Sequence, residues 1–179
     1  MTHISLDLET MGTGPMSSIL SIGAVVFELD GTYTNLSGPA FYTTIDLKSC
    51  EDRGLRIDAS TVKWWATQSD EARRVITDPD ALLLAHALHQ FASFVTDQAE
   101  PRIWCRGPDF DGVILNQAYE ACSMKTPWKY SALRCVRTIC DLANLDVNTV
   151  PRTGPAHSAL DDAFHQARCI QEAWRRLMT

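Results

Sequence analysis

The run Ile4-Ser5-Leu6-Asp7-Leu8-Glu9-Thr10 constrains this chain more than any other stretch. Polar and apolar residues alternate with a period of two, which suits a half-buried strand and not a helix. On such a strand Asp7 and Glu9 leave one face while Leu6 and Leu8 pack on the other. Two carboxylates in one small patch repel each other, and each holds up the other's pKa unless a cation intervenes. Divalent cations that prefer hard oxygen ligands, Mg²⁺ or Mn²⁺, relieve that repulsion most directly. An edge strand with one solvated acidic face would carry the same residues, so a metal site requires further ligands elsewhere in the chain.

The 179 residues fit a single domain, 1–179, long enough to bury a core. No run approaches the roughly 18 apolar residues of a membrane span, and no basic region or signal core precedes the first strand. A cytoplasmic protein with no membrane partner is expected. Cys50, Cys105, Cys122, Cys135, Cys140 and Cys169 form no C-x-x-C pair, which favours reduced, mostly buried thiols over zinc. A net charge of −6 argues against a protein that coats nucleic acid by bulk electrostatics. It leaves room for an enzyme acting on nucleic acid, because two divalent cations would bring about four positive charges to the site itself.

Strand-like runs at 18–29 and 40–47, separated by Asp30-Gly31, complete a three-stranded antiparallel meander with the first strand. Residues 48–58 read as irregular, and Ser60 or Thr61 caps a helix through Thr67. A short helix follows Ser69, and another starts at Asp78-Pro79 with Leu84, Leu88, Phe91 and Val95 on one face. His86 and His89 sit beside that face as surface residues. Residues 102–106 read as a fourth strand, and a helix opens at Asp109-Phe110-Asp111. The pattern then predicts a helix over 131–143 with Arg134 and Arg137 on one side, and a short fifth strand at 147–150. A last helix begins near Ser158, with Leu160, Phe164, Ala167, Ile170, Trp174 and Leu177 as its apolar stripe. The sum is an α/β domain with a mixed central sheet flanked by helices and the first strand near its centre.

Further acids lie at element ends. Asp109 and Asp111 follow the fourth strand, and Asp161 and Asp162 open the last helix. Helix capping explains acids at such positions without a metal, and Asp109, at the expected cap, fits that explanation best. His157 and Asp162 are five positions apart, about 140° around a helix, so they cannot share a helical face. The spacing suits a histidine in the preceding loop that folds over the site while Asp162 reaches in from the helix. A neutral imidazole there could serve as general base.

Asp7-Leu8-Glu9, then Phe110-Asp111 after a strand and a glycine, then His157 with Asp162 five residues on, resemble the motifs of DEDDh 3′–5′ exonucleases. Val62-Lys63-Trp64-Trp65, Trp104 through Asp111, and Arg134 through Thr138 are similar to the small phage and bacterial enzymes that look like ribonuclease T. The resemblance implies a ribonuclease H-like fold. It implies two divalent cations, Mg²⁺ or Mn²⁺, at the positions of Asp7, Glu9, Asp111 and Asp162, with His157 as general base. Asp109 and Asp161 match no catalytic position. The implied reaction is two-metal hydrolysis of phosphodiester bonds from the 3′ end of single-stranded DNA or RNA, releasing nucleoside 5′-monophosphates. By analogy with the resembled group, a homodimer is expected.

Leu8, Thr10 and Met11 border the acids and are candidates to contact the terminal sugar and base. Trp104 is either a core residue or a stacking face, the latter worth about 1–3 kcal/mol per base. Trp64 and Trp65 are adjacent and point differently, one to the core and one to the substrate channel, for which Trp65 is the candidate. Arg137, with Arg134, Arg152, Lys125 and Lys129, either meets the phosphate backbone or lies on a solvated face. Two other functions suit the same fold: a hydrolase of short oligonucleotides or dinucleotides, and a catalytically silent nucleic-acid-binding module. An intact tetrad with its histidine argues against the second, since a scaffold has no use for groups that repel without metal.

Overall fold

The computed structural model describes all residues except 32–35 and 37. Its sheet is built outward from β1 (Thr2–Thr10). On one side of β1 lie β2 (Ile19–Phe27) and then β3 (Ala40–Thr44), each antiparallel to its neighbour; on the other lie β4 (Pro101–Cys105) and then β5 (Leu133–Cys135), both parallel. The order among the described residues is β3-β2-β1-β4-β5, so the acid-bearing strand is central, as its pattern predicts. The turn after β2 runs from Glu28 to Gly31, and the rest of the expected hairpin connection falls partly outside the described residues.

The alternation of β1 divides the core. Ile4, Leu6 and Leu8 face one layer, containing α4 (Leu84–Thr96) and α5 (Asp111–Ala121), through Leu88, Phe91, Leu115 and Tyr119. The opposite layer is α6 (Val136–Leu142) and α7 (Ala159–Met178), packed on Val25, Phe27 and Trp104. Helix α7 lies very close to the sheet. A Cβ on Gly23, which pairs with Asp7, would overlap the backbone of Ala159 and Leu160. Glycine at mid-strand therefore sets the distance between the start of α7 and the acids of β1.

That close approach also explains a correction to α7. The residues turned inward are Ala159, Ala163, Ala167, Ile170 and Ala173, together with His165, Gln166 and Gln171, whereas Leu160, Phe164 and Trp174 sit at the margins and Leu177 is exposed. A helix this near a sheet has no room for large side chains along its contact line. Other expectations change as well. Residues 133–135 form β5 rather than a helix, so Arg134 and Arg137 share no helical face, and residues 147–149 form a 3₁₀ turn rather than a strand. Residues 47–51 form a short helix, α1, where an irregular segment was expected. Helix α2 (Ala59–Ala66) is capped by Asp58, whose carboxylate accepts from the Ser60 and Thr61 amides, α3 (Asp70–Arg73) follows its Ser69 cap, and α4 begins at Leu84, six residues past Asp78. The thiols follow expectation: Cys50, Cys105, Cys140 and Cys169 are buried and all six cysteines are free. Among the described residues no helix is long and apolar enough to cross a membrane.

Candidate active site

Asp7 and Glu9 stand at the C-terminal end of β1, where loops leaving parallel strands converge. The β1–β2 register slips between Glu9 and Thr10, and the Trp65 indole Nε1 donates to the Thr10 carbonyl at 2.9 Å, which pins the strand end. Pairing of β4 with β1 stops at Ser5–Trp104. Beyond it the chain turns at Gly107, whose carbonyl accepts from the Phe110 and Asp111 amides at 2.7 and 3.0 Å, and α5 starts with the buried Asp111. The Asp111 carboxylate accepts from its own amide and from that of Leu8, so the second acid motif is tied to the backbone of the first. Asp162 comes from the first turn of α7, brought in across Gly23.

The result is one acidic cluster. Ligand oxygens of Asp7, Glu9 and Asp162 lie within 4.8 Å of one another, and Asp111 raises the pKa of both Asp7 and Glu9. Burial holds the Asp7 carboxyl well above the usual carboxylate range, with Asp111, Glu9 and Asp162 adding repulsion and Gln166 opposing it. Burial, then Asp162 and Asp111, pushes Glu9 up to about 8. Burial likewise takes Asp111 to about 7, against its two amide bonds and the Arg137 charge. Gln166, one turn after Asp162, is buried and donates from Nε2 to Asp7 Oδ1 at 2.6 Å. No expectation from the sequence included it, since an amide within a helix carries no motif.

The cluster opens into a cavity of about 520 Å³. His157 forms part of its wall from the loop before α7, at a backbone φ of 63°, with its ring edge-on to Trp64 at 4.8 Å between centroids. Leu8 and Thr10 line the cavity, together with Trp64, Phe110 and Arg106. The end of a parallel strand beside Gly107-Pro108 was the available signal for Arg106 and Phe110. Two substrate candidates, Trp65 and Met11, sit otherwise than expected, while Trp104 and Arg137 each take one of the two places open to them. Trp65 is 1% exposed and packs in the core, so Trp64, 41% exposed, is the indole at the cavity. Met11 is buried beside Leu20 and Trp65. Trp104 is buried under α6 and α7, its Nε1 donating to His3 Nδ1 at 2.9 Å, which leaves no face for stacking. Arg137 is exposed and lines a neighbouring groove of about 290 Å³ that also includes Arg106. Asp109 is exposed, and Asp161 faces a different cavity.

A family described as the 3′–5′ exoribonuclease Rv2179c-like domain matches residues 2–174. An exodeoxyribonuclease of Enterobacteria phage T4 is 31% identical over 125 residues, covering 64% of this chain. The chain spans about half of that relative, 54% of its length. Among solved structures, Escherichia coli ExoI in its zinc-bound complex with single-stranded DNA superposes with a TM-score of 0.66 at 14% identity, over 99% of this chain and 42% of that one. The nuclease domain of 3′hExo, a DEDDh family member bound to rAMP, gives 0.62 at 13% identity, over 99% and 92%. At these identities the likeness is one of fold, and the fold is the expected ribonuclease H-like one.

Proposed function

The chain belongs to the 3′–5′ exoribonuclease Rv2179c-like family, and we propose that residues 1–179 form one exonuclease domain that removes nucleoside 5′-monophosphates from the 3′ end of single-stranded nucleic acid. The observation that carries this reading is the convergence of Asp7, Glu9 and Asp162 within 4.8 Å, with Asp111 coupled to them, at the base of a cavity walled by His157. Such a donor set fits a hard divalent cation. It is all carboxylate oxygen, it is largely buried, and the charges of Asp111 and Asp162 add to burial in holding Asp7 and Glu9 up. Asp7, Glu9, Asp111 and Asp162 would hold two such ions, Mg²⁺ or Mn²⁺. When bound, these supply Lewis-acid polarisation of the phosphate and offset the charge that builds on the departing oxygen.

The chain's own residues do the remainder. Gln166 fixes the Asp7 carboxylate through its 2.6 Å bond, and the amide of Leu8 fixes that of Asp111. A ring nitrogen of His157 takes the proton of the attacking water, while the edge contact with Trp64 restrains the imidazole. Trp64 and Phe110 offer apolar surface to an unpaired terminal base, with Leu8 and Thr10 forming the floor of the cavity beneath its sugar. Arg106, shared between the cavity and the adjoining groove, and Arg137 beyond it are placed to meet successive phosphates. A base that stacks on Trp64 or Phe110 has to be unpaired, which favours single strands.

Digestion of 5′-labelled single-stranded DNA and RNA of matched sequence, in Mg²⁺, Mn²⁺ or EDTA, tests the reading. A metal-dependent ladder shortening from the 3′ end, lost in Asp7→Asn and strongly slowed in His157→Ala, is the expected result. The preferred strand then decides between the ribonuclease of the family description and the deoxyribonuclease activity of the phage relative. A folded protein that binds Mn²⁺ yet degrades neither strand would overturn it.

A further inference from the structure

Asp162 has both carboxylate oxygens engaged by the loop that precedes its own helix. Its Oδ1 accepts from the Arg152 guanidinium, and its Oδ2 accepts from the His157 backbone amide at 3.0 Å. The same guanidinium nitrogen reaches the Pro155 carbonyl at 3.4 Å, and Arg168 donates to the Pro151 carbonyl at 3.3 Å. Residues 151–157 are thus folded over Asp162 and tied to it at both ends, through the Arg152 side chain and the His157 backbone. His157, at the far end of that loop, adopts a left-handed conformation and meets Trp64. Yet Asp162 also lies within 4.8 Å of Asp7 and Glu9 and belongs to the cluster suited to a cation. A carboxylate oxygen bound to a guanidinium has less electron density to offer a metal, and the two positive charges exclude each other from one small site.

We propose that Arg152 is a positioning residue that acts as an internal counter-ion. It holds Asp162 until a divalent cation displaces it, and displacement releases one end of the loop that carries His157 and turns the guanidinium toward the cavity, where a phosphodiester would lie. The inference rests on the metal-dependent reading above and adds a competition, within the chain, for one of the proposed ligands. The coupling is reciprocal: if metal loosens Arg152, then Arg152 weakens metal. This sets the sign of the test. A residue that merely braced Asp162 would weaken metal binding when removed, whereas a competitor tightens it.

Calorimetric titration of Mn²⁺ into the metal-free full chain is the experiment, with wild type, Arg152→Gln, Arg152→Lys and Arg106→Gln. Arg152→Gln should bind Mn²⁺ about 5- to 20-fold more tightly than wild type, and Arg152→Lys should fall between them. Arg106 lines the same cavity but, among the described residues, Asp162 pairs with Arg152, so Arg106→Gln reports the effect of removing a nearby charge alone; a change of about twofold or less is expected. Equal or weaker binding by Arg152→Gln overturns the inference, as does equal tightening by Arg106→Gln. If wild type and all variants fail to bind Mn²⁺, the metal-dependent reading falls and takes the inference with it. Unchanged affinity in a wild type that binds and cleaves overturns the inference alone. Tryptophan fluorescence, corrected with Trp64→Phe, adds a conformational readout. Mn²⁺ should alter the Trp64 signal in wild type, and metal-free Arg152→Gln should already show the altered signal; an unaltered one refutes release of the loop.

Discussion

Replacing Glu9 by glutamine should stabilise the metal-free protein at alkaline pH. Glu9 is raised from 4.5 to about 8, first by burial and then by Asp162 and Asp111. The folded state therefore keeps a proton that the unfolded state has already lost. Stability from this group is fully present below about 4.5 and is lost progressively as pH rises through about 8, the reverse of an ordinary salt-bridged carboxylate. At about 1.4 kcal/mol per pH unit, the interval corresponds to about 5 kcal/mol. Side-chain relaxation and water entry leave about 2–4 kcal/mol of that, or roughly 5–15 °C in melting temperature for a chain of this size. The assay is thermal melting by circular dichroism in excess EDTA, at about pH 5 and about pH 8.5. Glu9→Gln should melt well above wild type at the higher pH and close to it at the lower. Added Mg²⁺ should raise the wild type strongly and the variant little, closing or inverting the gap. A Glu9→Gln that melts at or below wild type at about pH 8.5 in EDTA would refute the claim that the cluster carries uncompensated charge.

Asp7→Asn should preserve the circular dichroism spectrum and cut exonuclease rate by about 10³-fold or more in a gel assay, since it removes a proposed ligand that the Gln166 amide holds in place on the central strand. Gly23→Ala should cost about 2–4 kcal/mol in urea unfolding and lower the rate as well, because the new methyl displaces the start of α7 and Asp162 with it. The adjacent indoles should separate cleanly. Trp65→Ala should cost about 3–5 kcal/mol of stability, while Trp64→Ala should leave stability nearly unchanged and weaken binding of a single-stranded oligonucleotide by about 1–3 kcal/mol, as measured by fluorescence anisotropy.

Local pattern carried some of these features and could not carry others. The placement of Asp7 and Glu9 on one face of a central strand follows from alternation within a few residues, which no distant contact has to supply. Strand β5 is different. Leu133, Val136, Ile139 and Cys140 have helical spacing, but Leu133 to Cys135 extend because they pair with Ile103 to Cys105, about thirty residues earlier in the chain, and α6 follows with no intervening loop. Between Trp64 and Trp65 the helix offers no choice on composition alone. The Thr10 carbonyl decides it by accepting from Trp65, and the other indole is left facing the cavity.

The same contrast separates the acids from what aims them. Carboxylates at element ends are visible as motifs because the chemistry demands the residue type, whereas the groups that orient them need only be small or polar in the right place. Gly23 works by having no side chain, the alanines of α7 by having a short one, and Gln166 by a single amide bond to Asp7. Of these only Gly23 leaves a trace in the sequence, as a glycine inside a largely apolar strand, and that trace marks a point where α7 comes close to the sheet. The separation of Asp162 from Asp7 and Glu9 is thus set by a helix-to-sheet distance. It follows that substitutions on the contact line of α7, which touch none of the proposed ligands, should change metal affinity as strongly as they change stability.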